Sequence, residues 1–62
     1  MITLQEQLKE VDREIGMRQA VYARRVESGK MTSQEAKHKI EIMKAVKETI
    51  SKAMRSQGDA RN

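Results

Sequence analysis

Few side chains in this 62-residue chain are of types that do chemistry, and their spacing sorts them into three sets. Glu35-Ala-Lys-His38 has the Glu-x-x-His spacing by which four-helix di-iron proteins present two ligands from one helix. Ala36 and Ile40 set the inward face of that segment, so the register turns His38 outward, and Glu35 is placed to cap the helix. With one histidine, no cysteine and no second such motif, neither a metal site nor a cofactor is expected. Hydrolysis lacks its parts too: there is no acid pair on an apolar face and no glycine-rich phosphate loop. A slender hairpin also offers no deep pocket. No residue is assigned a catalytic role, and the chain is not expected to be an enzyme.

The second set is Arg18, Tyr22, Arg24 and Arg25. Tyr22 is the only aromatic residue, and Arg18 and Arg25 each stand about one helical turn from it. Two roles fit this spacing. The ring and guanidinium groups can lock the helices together through a cation–π contact or a hydrogen bond. They can equally form the arginine–aromatic patch expected of a protein-binding hot spot. These four residues are the candidate partner-binding set.

The third set is a cluster of Arg24, Arg25, Lys30, Lys37 and Lys39 around the middle of the chain, where all the net positive charge lies. It could meet phosphates. The total of +4 is mild, however, and the connection is not of helix-turn-helix type, so nucleic acid is not the expected partner. Nucleic-acid binding and small-ligand sequestration by a helical dimer are the alternatives to protein binding.

Two amphipathic helices must position these residues. Thr3 with Glu6 reads as a capping box, and Leu4, Leu8, Val11 and Ile15 then recur at helical spacing. That spacing continues through Arg18, Tyr22 and Arg25, and Gly16 costs roughly 1 kcal/mol against alanine without ending the helix. Ser28-Gly29 is a stop signal. Thr32 with Glu35 makes a second capping box, followed by Ala36, Ile40, Met43, Ile50 and Met54, with Lys47 breaking the series. The expectation is all-α: a helix over about 3–28, a turn at 29–31 and a helix over about 32–56. So short a connection folds the helices back as an antiparallel hairpin over 1–57. That fold sets Tyr22 near Ile40, Ile15 near Val46, Val11 near Ile50 and Leu8 near Met54. Residues 58–62 lack periodicity and are expected to be a disordered tail.

A chain this short rarely buries a self-sufficient core, and without cysteine it has no disulfide to compensate. A second apolar stripe runs beside the hairpin seam: Met17 and Val21 on the first helix, Ile42, Val46 and Ala53 on the second. Two hairpins packed as a four-helix bundle would cover it, so a homodimer is expected through Met17, Val21, Ile42 and Val46. The longest apolar run is too short to span a bilayer, and no signal-peptide core is present at the N-terminus. A cytoplasmic protein without a membrane partner is expected.

The run Met17-Arg18-x-x-Val21-Tyr22-x-Arg24-x-Val26-x-x-Gly29-Lys30-Met31-Thr32-x-x-Glu35-Ala36, followed by Ile40 and Met43, carries a resemblance. It is similar to small bacteriophage helical-hairpin proteins of the phage quorum-sensing anti-activator type, over roughly residues 3 to 50. The resemblance implies a dimeric phage protein acting in the host cytoplasm, where it binds and inhibits a host protein. For that type the targets are a quorum-sensing transcription regulator and a pilus-assembly ATPase. The family's tyrosine-proline-arginine-tryptophan-valine run stands here as Tyr22-Ala23-Arg24-Arg25-Val26, without the proline and tryptophan.

Overall fold

The structure, a computed structural model, describes residues 1–60, with side chains to residue 57. It consists of two α-helices, α1 over Leu4–Glu27 and α2 over Ser33–Ala60, packed against each other as a hairpin. Among the described residues there is no strand. The second helix outlasts its apolar periodicity. Its backbone is helical through residues 58–60, where the loss of periodicity predicts a tail, and residues 61–62 lie outside the described part.

Both helix starts follow from their threonines, but not equally. Thr3 Oγ1 accepts from the Glu6 backbone N–H at 3.1 Å, and the Glu6 carboxylate meets the Thr3 hydroxyl rather than its backbone N–H. At α2 the box closes in both directions. The Glu35 N–H donates to Thr32 Oγ1 at 3.0 Å, and the Thr32 N–H donates to Glu35 Oε1 at 3.2 Å.

The reversal is a complete Schellman turn. Gly29 takes φ +77°, the left-handed conformation that a Cβ would strain. The Lys30 N–H then reaches back to the Arg25 carbonyl at 2.8 Å and the Gly29 N–H to that of Val26 at 3.1 Å. Arg24 and Arg25, in the last turn of α1, complement the negative end of its dipole.

The seam uses Leu4, Leu8, Val11, Ile15, Arg18, Tyr22 and Val26 of α1 against Ala36, Ile40, Met43, Lys47, Ile50 and Met54 of α2, all at least half-buried. Only Ile15 and Tyr22 fall below a tenth exposed. Lys47 keeps its place in the seam by reaching Asp12, Nζ to Oδ1 2.7 Å. Among the described residues this is the one ion pair that links the helices. Val46 sits one position off the seam and is 41% exposed.

The reason for so thin a core is dimensional. The molecule measures 51 × 20 × 13 Å, the thickness of a single helix layer. Its radius of gyration is 14.8 Å, against roughly 11 Å for a compact chain of this length.

Candidate partner-binding surface

Arg18 is the best-anchored member of the proposed set. Its Nε and Nη2 approach Glu14 Oε1 at 3.4 and 3.3 Å, one turn earlier on the same helix. Its Nη1 lies 3.5 Å from the Tyr22 hydroxyl, at the outer limit of a hydrogen bond. The Tyr22 hydroxyl and then the Glu14 carboxylate hold the guanidinium pKa above its ordinary value. Arginine is charged at every physiological pH, so the effect of these contacts is positional: they fix where the cation points.

Tyr22 is 9% exposed. Its ring fills the seam beside Ala36 and Ile40, as the folding of the chain at Gly29 requires. Tyr22 also lines the groove on each side of the seam, and its hydroxyl is met by Arg18. The lock role and the anchoring of Arg18 are thus joined in one side chain.

Arg24 and Arg25 are both exposed. Successive residues on a helix diverge by 100°, so the two guanidiniums leave α1 in different directions. Arg25 borders a groove with Glu14, Met17, Arg18, Val21 and Tyr22. Arg24 stands on the side of α1 turned away from α2. The four candidates therefore divide: Arg18, Tyr22 and Arg25 share one groove, and Arg24 does not line it.

The expected dimer residues lie beside that groove. Met17 is 49%, Ile42 50% and Val46 41% exposed, while Val21 is half-buried. Glu10, Glu14, Met17 and Val21 follow one another at i+4 and i+3 along a single stripe of α1. Val46 and Ile50 of α2 join that stripe across a second groove, about 540 Å³, lined also by Ile2, Glu6, Gln7, Glu10 and Val11. One face of the hairpin is thus apolar along its middle. The opposite face carries Gln19, Lys37, Glu41 and Lys44.

Two partners on the apolar face lie outside the candidate set read from the sequence, although helical spacing could have found them. Glu14 lies four residues before Arg18, the favourable order for an acid–base pair. Arg13 pairs with Glu10 and brings Nη1 within 3.0 Å of Met17 Sδ. His38 is exposed, and the Glu35 carboxylate is engaged by Thr32, so the two do not converge on a common point.

Among the described residues no helix is long and apolar enough to cross a membrane. Comparisons with protein-family models, curated proteins and solved structures gave no match.

Proposed function

We propose that this chain is a homodimeric helical hairpin that binds a host protein and inhibits it by occluding one of its surfaces. The observation that supports this reading is the uncovered face: Met17, Ile42 and Val46 stand exposed in the middle of a molecule one helix thick. Exposed apolar residues grouped on one face mark interaction sites, whereas scattered ones do not. Beside them lies an arginine-rich end in which Glu14 and Tyr22 hold Arg18, and Arg24 and Arg25 extend into solvent. Arginines positioned in this way match acidic groups on a partner and give the contact its specificity.

The resemblance to phage anti-activators names the class of partner: a host transcription regulator or a pilus-assembly ATPase, met in the host cytoplasm. Binding, with no chemistry of its own, is the activity proposed. The test uses purified regulator and ATPase as bait, with the double variant Arg24→Glu/Arg25→Glu beside the parent chain. Both side chains lie in solvent, but reversing them opposes the dipole of α1 at a cost of about 1–2 kcal/mol, so capture is compared at a temperature where circular dichroism shows parental helix content, and there it is expected to fall at least tenfold. Capture that survives the double reversal would remove the arginines from the site. Failure of the parent chain to bind either bait, with a duplex-DNA gel shift that collapses as salt rises, would replace a protein partner by nucleic acid.

A further inference from the structure

We infer that the groove on the face opposite the apolar stripe is a docking slot for an amphipathic helix of a partner protein, one whose apolar residues are bordered by acid, base and acid along one line. The slot runs between the two helices near the turn. Tyr22, Ala36 and Ile40 make its floor, Gln19 its wall on α1, and Lys37, Glu41 and Lys44 its wall on α2. It encloses about 280 Å³, just under the roughly 300 Å³ at which sites for small molecules begin. An apolar side chain carried on a larger element fits such a space better than a free ligand. The slot lies away from Met17, Ile42 and Val46, so it stays open whatever covers those residues.

The charges of the α2 wall select the occupant. Lys37, Glu41 and Lys44 follow one another at four and three residues, which places them on one line of the helix. Lys37 and Lys44 are thus two turns apart, about 10.5 Å. All three side chains are exposed, and among the described residues none of them enters an ion pair. Farther along α2 the charges are already answered within the chain, Lys47 by Asp12 and Glu48 by Arg55. The wall of the slot therefore presents a positive–negative–positive pattern with no internal partner. A second helix repeats its own side chains at i, i+4 and i+7 over the same rise, so acid, base and acid on it meet all three charges while its apolar stripe fills the floor. An extended strand repeats on one face at about 7 and 14 Å and misses this spacing. A uniformly negative phosphate backbone would set a charge of like sign against Glu41. The pattern thus favours a protein helix over a nucleic acid at this groove.

The probe is a fluorescein-labelled synthetic helix of about three heptads, with leucines along one stripe and glutamate, lysine and glutamate bordering it at this spacing. Its counterpart has glutamate and lysine exchanged. Fluorescence anisotropy is expected to show the first peptide binding the parent chain at least tenfold more tightly than the second. Lys37→Glu/Glu41→Lys/Lys44→Glu, three changes at exposed positions, is expected to reverse that preference. Glu41→Lys alone is expected to weaken the first peptide at least threefold, which keeps the test open should the triple variant lose helix. Arg24→Glu/Arg25→Glu is expected to leave the preference as it is, because neither arginine lines this groove. Binding of neither peptide, or a preference that Glu41→Lys and the triple variant do not move, would overturn the assignment. So would a preference abolished by the arginine reversal. Capture of the regulator or the ATPase at the arginine end is a separate measurement, so the two readings fail independently.

Discussion

Tyr22, 9% exposed between the two helices, acts first on the stability of the hairpin. Tyr22 packs beside Ala36 and Ile40, and its hydroxyl meets Arg18 at 3.5 Å, a distance that makes the contact weak. Removing the hydroxyl is therefore expected to cost less than about 1 kcal/mol of stability. Removing the ring, one of the two well-buried side chains among the described residues, is expected to cost about 3 kcal/mol or more. Urea denaturation of Tyr22→Phe and Tyr22→Ala separates the two: near-parental unfolding for the first, and loss of most helix signal at 25 °C for the second. If Tyr22→Ala unfolded like the parent, the ring would not be part of the core. The spacing of Tyr22 from Ile15 and Arg18 is enough to put it on the seam. It does not decide between lock and hot spot, because both roles place the side chain on the same line of the helix. Glu14 is legible as well, four residues before Arg18, but only the three-dimensional pair shows that it fixes the direction of the cation.

The hairpin as an element is open to reading from a handful of local signals: two threonine–glutamate boxes and one glycine that needs a positive φ. Each acts within four residues, so each is visible in sequence, and the observed helices begin and end within a residue of them except at the C-terminal side of α2. There the backbone stays helical past the apolar pattern, since hydrogen bonding between successive turns does not require a buried face. Lys47 is the other local puzzle, and its reason is tertiary: Asp12 on the opposing helix receives it. The two glycines of α1 and the turn make opposite predictions. Gly16 is in mid-helix, and nothing lies within 4 Å of the place its Cβ would take, so Gly16→Ala is expected to stabilise by about 1 kcal/mol. For a chain of this size that is a rise in Tm of about 4–8 °C. Gly29→Ala also meets open space but must hold φ +77°, so it is expected to destabilise by about 1 kcal/mol. Thermal scans at one concentration read both signs. A lowered Tm for Gly16→Ala would mean that this side of α1 is covered in solution.

At the scale of the whole molecule, the thinness of the hairpin links stability to self-association. A layer 13 Å thick has an edge seam but no interior, and among the described residues only Ile15 and Tyr22 are well buried within it. Hydrophobic stabilisation scales with the area withdrawn from water, so a cover over Met17, Val21, Ile42 and Val46 would add stability that the single hairpin lacks. If that cover is a second copy, folding is coupled to mass action and Tm falls on dilution, as it would not for a monomer. The same coupling fixes the effect of placing a charge on the face. Ile42 is half exposed in the single hairpin, so aspartate there costs the monomer little beyond helix propensity. In a dimer it would remove two buried isoleucines and bury two carboxylates, a loss of about 3 kcal/mol or more, which is over a hundredfold in dimer affinity. Ile42→Asp is thus expected to sediment as a single chain at concentrations where the parent is paired, and to melt at a temperature independent of dilution. An Ile42→Asp variant that remained paired, with a parental dependence of Tm on concentration, would show that the second copy sits elsewhere. The opposite face, where Gln19, Lys37, Glu41 and Lys44 flank Tyr22, Ala36 and Ile40, would then be the surface on which to look for the contact.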